Sequence, residues 1–253
     1  MTGDLTLAAP LESNPFATRY TRPGAITYQF SLESRSDLPP FGAACFSPFE
    51  SSSDVPSGAD SAVCEIIGRL KAHQGNLIVG PHGSGKTTLL HSLLDSLRCS
   101  YPRVDFLKLD GRCGDWMQRF RDRVILDTKV LGRVKRMQPG GLMILDGFEQ
   151  LNVVSRWLVL LTARRRGVTV LATGHQPIFG MQIIFETAIH PNLIHHLSMQ
   201  LLHSSPDEIR KEVQDWLIQN DLNEVSNLRE LWFELYDVVQ PHLICASQEK
   251  FGS

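Results

Sequence analysis

Cysteine is scarce in this chain and lacks pattern. The five residues Cys45, Cys64, Cys99, Cys113 and Cys245 are odd in number and scattered, with no CxxC pair. Neither a disulfide framework nor a zinc cluster is expected, and reduced thiols fit best. Long apolar stretches are missing too: no run of 18 hydrophobic residues occurs, which excludes a membrane-spanning helix of ordinary length. There is no excess of positive charge. Lys and Arg number 25 against 27 Asp and Glu, a net charge of −2, so the bulk field that drives non-specific nucleic-acid binding is absent and only a local basic patch remains open. Met1 to Asp4 carries an acid where a signal peptide would carry Lys or Arg, and the expectation is a cytoplasmic chain with no membrane insertion.

What is present is ordinary globular material: 253 residues, 42% hydrophobic and 21% charged. Residues 1–60 are punctuated by Pro10, Pro15, Pro23, Pro39, Pro40, Pro48 and Pro56 and by a serine run at 51–53, which disfavours long helices and predicts an extended arm. Phe16, Tyr20 and Phe30 are its expected anchors in surface grooves. From residue 61 the periodicity becomes regular. Strands are predicted at 76–79, 103–109, 142–145 and 168–173, separated by helices at 87–97, 115–136 and 149–166. That alternation predicts an α/β fold, a parallel sheet with helices on both sides in three layers, over residues 61–188. Residues 189–253 read as an all-helical lid: one helix at 191–203, a second to about 220 opened by Ser205-Pro206-Asp207-Glu208 as a capping box, and a third from about Ser226.

The strongest chemical signal is Gly80-Pro81-His82-Gly83-Ser84-Gly85-Lys86-Thr87, which matches G-x-x-x-x-G-K-[ST] between a predicted strand and a predicted helix. Three glycines let backbone N–H groups turn inward as an anion nest, and the helix that follows adds its positive end. Residues 80–87 with Thr88 are the expected contacts for ATP. Lys86 would reach the β- and γ-phosphates as a mobile charge, and Thr87 would present its hydroxyl oxygen to Mg²⁺. Leu142-Met143-Ile144-Leu145-Asp146 ends a buried strand in one carboxylate, so Asp146 is the second expected Mg²⁺ partner. The general base is less defined, because Gly147 stands directly after Asp146. Glu149, with Gln150 beside it, is either that base or only a first-turn helix acid favoured by the dipole. Thr173, and after it His175, end the next strand where a γ-phosphate sensor would sit.

These parts, in this order, resemble the AAA+ ATPases and the related signal-transduction NTPases of the same P-loop division, over residues 61–240. Gly80 to Thr87 looks like Walker A, Leu142 to Asp146 like Walker B and Thr173 like sensor 1. Asp146-Gly147-Phe148-Glu149 is similar to the signal-transduction branch. Asn227-Leu228-Arg229-Glu230 resembles the sensor 2 segment, which implies that Arg229 reaches the nucleotide phosphates; pairing of Arg229 with Glu230 or Asp237 is the alternative. Asn14-Pro15-Phe16 is similar to the opening of small bacterial AAA-type ATPases of the secretion and transposition kind, which implies that Arg19 to Gly24 lie near the adenine with Tyr20 as a stacking face. One departure is that residues 174–182 contain no arginine, so the trans-acting finger of a hexameric ring is missing from its usual place. Arg164, Arg165 and Arg166 either substitute for it or serve a helix C-terminus.

A guanine reader N-K-x-D and an LSGGQ-like segment are absent from the sequence, which disfavours a GTPase and a transporter ATPase. The expected function is therefore slow Mg-ATP hydrolysis by an AAA+-like switch. Nucleotide would control lid position and through it the binding of a protein partner or DNA, with nucleotide-dependent homo-oligomers as one outcome. A small-molecule kinase is an alternative, with Asp110 beside the acceptor, although the lid has only Arg210, Lys211, Arg229 and Lys250 against ten acids. A nucleotide-gated binding module with negligible hydrolysis is another. Charge is also divided: residues 112–136 hold eight Lys/Arg and three Asp/Glu, net +5, and residues 204–253 hold four and ten, net −6.

Overall fold

A five-stranded, all-parallel sheet in the order β2-β3-β4-β1-β5 forms the centre of the molecule. The computed structural model describes residues 14–23, 28, 58–109 and 116–251. Its elements run α1 (Thr18–Thr21), α2 (Gly58–Ala72), β1 (Gly75–Val79), α3 (Lys86–Ser100), β2 (Val104–Lys108), α4 (Trp116–Arg136), β3 (Leu142–Asp146), α5 (Val153–Arg166), β4 (Thr169–Gly174), β5 (Gln182–Glu186), α6 (Pro191–Leu201), α7 (Asp207–Gln219) and α8 (Leu228–Phe251). Among them no helix is long and apolar enough to cross a membrane.

Alternation along each strand decides the layers. On β3, Met143 and Leu145 face one side with Leu77, Val170 and Ala172, and there they meet Val130 and Val134 of α4 and Val159 and Ala163 of α5. Leu142 and Ile144 face the other side with Ile78 and Leu171, against Ile66 and Leu70 of α2 and Leu89, Leu90, Leu93 and Leu97 of α3. Both faces are covered, as a parallel sheet requires. The register runs Gly75 beside Val170 through Val79 beside Gly174, so β1 and β4 end together and deliver the loops after them to one edge.

Three local features differ from the pattern in the sequence. β5 is additional to the four predicted strands; it pairs only with β1, and of its residues only Ile184 is buried, so its short half-exposed pattern carries little periodicity. The predicted helix 149–166 is two pieces, a 3-10 turn Phe148–Gln150 and then α5, which starts after Asn152, whose side chain accepts the N–H of Ser155. The Ser205/Glu208 capping box does not form either: Pro206 occupies the N-cap position of α7, and no side chain caps the helix.

The lid helices α6, α7 and α8 enclose their own core of Leu193, Ile194, Leu197, Val213, Leu217, Leu231, Trp232 and Leu235. Phe16 belongs to this core. It is 2% exposed and its ring stacks on Trp232 at 5.6 Å. Asn14 fixes the approach, donating from Nδ2 to Tyr236 O (2.9 Å) and Gln240 Oε1 (3.1 Å) while its Oδ1 accepts the Phe16 N–H (3.0 Å). The anchor of the amino-terminal segment is thus the lid interior rather than a surface groove, and Thr18–Thr21 is a helical turn rather than extended chain. The side chains of Arg19 and Tyr20, and residues Gly24 and Phe30, lie outside the described residues.

Candidate functional site

The turn after β1 is shaped by contacts that leave no space for side chains. A Cβ at Gly80 would overlap Thr187 Oγ1 and stand 2.6 Å from the Thr187 carbonyl oxygen. Gly83 and Gly85 have φ of +71° and +88°, left-handed values that glycine adopts without strain. Gly85 is also the N-cap of α3 and offers no side-chain acceptor, so the first N–H groups of a 15-residue helix open onto the loop. Pro81 and His82 are exposed at the crest, and Thr88 is half-buried on the first turn of α3. Ser84 turns inward. Its hydroxyl shares a 2.6 Å hydrogen bond with Thr187 and donates to Pro81 O at 2.9 Å, so it braces the loop.

Lys86 is 9% exposed and donates from Nζ to the carbonyls of Gly80 (2.7 Å) and Pro81 (2.6 Å). Burial pushes its pKa below the ordinary lysine value, and the carboxylates of Glu149 and Asp146 partly offset that shift. Thr87 Oγ1 donates to Asp146 Oδ2 at 2.8 Å. Thr173 Oγ1 donates to the other oxygen, Oδ1, at 2.7 Å, and accepts the Gly147 N–H at 2.8 Å. The Asp146 carboxylate is thereby held between the phosphate loop and the end of β4. This is a P-loop NTPase fold.

The P-loop core gathers a second group of residues beside Asp146. The 3-10 turn projects Glu149 towards His175, whose Nε2 stands 3.1 Å from Glu149 Oε1. His175 Nδ1 lies 3.2 Å from Lys86 Nζ and 3.2 Å from Gly80 O. The Nε2–H tautomer satisfies both neighbours, donating to Glu149 and accepting from Lys86. His82 lies over the same ring, with centroids 3.6 Å apart. Glu149 Oε2 is buried without a hydrogen-bond partner.

The lid meets the loop at Asn227, two residues before Arg229. A Cβ on Gly83 would overlap Asn227 Oδ1 and stand 3.0 Å from the Leu228 N–H nitrogen. Asn227 caps α8, accepting the Arg229 N–H at 3.1 Å and donating to Glu230 Oε1 at 2.7 Å. Arg229 is exposed on the first turn of α8, and its guanidinium makes no hydrogen bond or ion pair with the loop, Glu230 or Asp237 among the described residues. Tyr28 covers the other flank: it is 8% exposed, its N–H donates to Ser92 Oγ at 3.0 Å, and its ring is 3.3 Å from a Cβ position on Gly85.

Sequence motifs locate Lys86, Thr87, Asp146, Glu149 and Thr173 at one edge of the sheet, and the structure brings all five together. Thr187, Asn227 and the doubled role of His175 escape them. Thr187 follows β5, and recognising that strand would have placed it level with the loop, where its N–H donates to Val79 O at 2.8 Å. Asp110, the candidate beside a kinase acceptor, lies outside the described residues. Arg164, Arg165 and Arg166 close α5 at the opposite end of the strands from the phosphate loop and take no part in this site.

No family model matches the sequence, and no curated protein matches it. Among solved structures, the replication initiator DnaA bound to AMPPCP and single-stranded DNA is similar with a TM-score of 0.45 and 17% identity, over 76% of this chain and 64% of that one. AMPPCP-bound DnaA from Aquifex aeolicus is similar with a TM-score of 0.46 and 19% identity, over 70% and 59%. The Thermotoga maritima RuvB Holliday junction branch migration motor is similar with a TM-score of 0.41 and 12% identity, over 71% and 67%. This chain thus spans less than two thirds of the length of the two DnaA chains. The fold itself is defined by the strand order and by the loop that joins β1 to α3.

Proposed function

We propose that this chain is an Mg-ATP-binding, AAA+-like ATPase in which the state of the phosphate loop sets the position of the lid and thereby the binding of a macromolecular partner. The observation that carries the reading is the 2.8 Å bond from Thr87 to Asp146, which joins a phosphate-binding turn to a strand-end carboxylate. The donors there are oxygens, as a hard cation prefers, and Mg²⁺ is commonly held by one or two carboxylates together with substrate phosphates. Among the described residues no cluster of three His, Cys, Asp or Glu forms a cage of its own, which fits that mode. Bound Mg²⁺ would neutralise charge on the phosphate oxygens.

The chain's own groups have separable tasks in this reading. Backbone N–H groups of residues 82–88 hold the phosphates, Pro81 having none and that of Gly80 being bound to Gly174 O, and Lys86 exchanges two carbonyls for phosphate oxygens. Asp146 and Thr87 hold the metal, and Thr173 orients Asp146. Glu149 takes the proton of the attacking water, and Arg229 lies at the lid entrance as a mobile cation. Residues 1–60, 61–188 and 189–253 act as arm, core and lid, in a cytoplasmic protein whose assembly with other copies depends on nucleotide.

A binding module with negligible turnover is the second reading. It is favoured by Gly147 directly after Asp146 and by the engagement of Glu149 with His175. Phosphate release from ATP and Mg²⁺ separates the two. The ATPase reading predicts steady turnover that Glu149→Gln abolishes while ATP affinity is retained; a variant that turns over like the parent removes Glu149 from the mechanism.

A further inference from the structure

Six cations crowd the end of the sheet opposite the phosphate loop. Arg103 precedes β2, Lys135 and Arg136 close α4, and Arg164, Arg165 and Arg166 close α5. All six are exposed, and none has an ion-pair or hydrogen-bonding side-chain partner among the described residues. The backbone draws them together. Leu142 N–H donates to Arg103 O at 2.8 Å and Gly140 N–H to Gly167 O at 2.7 Å, so the turn after α4 holds the start of β2 and the end of α5 on either side.

No acid among the described residues pairs with them. The sequence has none between Asp127 and Asp146, nor between Glu149 and Glu186. Asp105, the nearest along β2, is already paired with Arg133 at 2.7 Å.

Helix C-termini account for only part of this charge. A helix end presents about half an elementary charge. The α5 end is already closed by Gly167, whose N–H donates to Ala163 O and Arg164 O. Three consecutive arginines also point about 100° apart around the axis, so one helix end cannot use them all. Holding six like charges around one end of the sheet is unfavourable in the absence of an anion.

Trp157 identifies the kind of anion. It is 58% exposed and lies on the same face of α5 as Arg164, two turns or about 10 Å before it, so an indole stands within the reach of a nucleotide or two of the Arg164 guanidinium along a bound strand. Cations that track phosphates beside an aromatic platform are the arrangement that binds a nucleic-acid strand. We propose that this amino-terminal edge of the sheet, with Trp157, binds the phosphodiester backbone of nucleic acid. The net charge of −2 is no obstacle, since the attraction is local at a Debye length of about 8 Å. The surface is about 16 Å of strand away from the phosphate loop, so it adds a partner to the ATP reading without depending on it.

The test is fluorescence anisotropy of a labelled mixed-sequence oligonucleotide, single-stranded and as a duplex, from about 50 to about 200 mM salt. It compares the parent with Arg164→Glu/Arg165→Glu, with Arg103→Glu on a separate element, and with Trp157→Ala, while light scattering follows self-association. The parent binds with affinity that falls steeply with salt. Each charge reversal weakens binding about tenfold or more and flattens the salt slope by about one for each phosphate that is no longer neutralised. Trp157→Ala weakens the single strand more than the duplex. ATP affinity by calorimetry stays at the parent value in all of these, whereas Lys86→Ala loses ATP and keeps the oligonucleotide, so the two readings fail separately. Absence of binding at low salt overturns the proposal, as do reversal variants that bind like the parent. So does a parent that self-associates without binding oligonucleotide and whose assembly the reversals dissolve, because the acidic lid of a second copy would then be the occupant.

Discussion

His175 Nε2 lies 3.1 Å from Glu149 Oε1, while the Nδ1 of the same ring lies 3.2 Å from Lys86 Nζ. One imidazole therefore links the residue that would touch the terminal phosphate to the residue that would take the proton of water. Lys86 cannot turn towards phosphate without leaving this ring and the carbonyls of Gly80 and Pro81.

Removing the ring separates positioning from binding. His175→Ala should lower kcat about tenfold with little change in KM, because nothing then orients the Glu149 carboxylate. His175→Gln, which can still donate to the carboxylate, should recover part of the rate. Steady-state kinetics on the two variants checks this, and equal decreases in both would remove the orienting role.

Thr173 gives a prediction about both stability and the metal. The residue is 1% exposed, and its hydroxyl joins Asp146 Oδ1 to the Gly147 N–H. Thr173→Val leaves a buried N–H without its acceptor and a carboxylate oxygen without its donor. A decrease of about 1–3 kcal/mol is expected in urea unfolding. Mg²⁺-dependent turnover should fall alongside it, and an unchanged midpoint with unchanged turnover would contradict the role.

Phe16 tests the attachment of the amino-terminal segment. Its ring is fully enclosed by the lid core and stacked on Trp232, so Phe16→Ala should cost about 3–5 kcal/mol. Hydrogen exchange should quicken across α6, α7 and α8 and leave the sheet protected. A uniform change over the whole chain would show that lid and core do not open separately.

Much of the phosphate-loop edge is legible in the sequence because its parts are local. The run Leu142 to Asp146 is five consecutive residues that read as a buried strand with one acid, and Gly80 to Thr87 carries its conformation in its own glycines. What is illegible depends on contacts between distant positions. Phe16 meets Trp232 only once α8 has docked, and Asn227 meets Gly83 only because the lid folds back over the loop. β5 leaves little trace because an edge strand with one buried residue needs no long apolar run. Arg229 lies on the first turn of α8, yet its neighbour Asn227 is the one at the loop, since the cap position faces the preceding chain.

Lys86 should make ATP affinity depend on pH. Its folded-state pKa is depressed, so between that value and the ordinary lysine pKa of about 10.4 the folded chain binds fewer protons than the unfolded one. Stability gained from this group therefore rises with pH across that window. Phosphates restore the proton, so ATP binding there should take up protons and weaken as pH increases. Calorimetry in buffers of differing ionisation enthalpy measures the uptake; Lys86→Arg, which does not titrate in this range, should show none, and equal uptake in both proteins would assign the proton elsewhere.

The most direct test of the account is ATP titration by calorimetry, with Mg²⁺, of the parent and of Lys86→Ala, each shown by circular dichroism to be folded. The parent should bind, and affinity in the variant should fall about 10- to 100-fold or more, the worth of a charge-assisted bond of about 1.5–3 kcal/mol. Equal affinity in the two proteins, or no ATP binding by the parent, would contradict it.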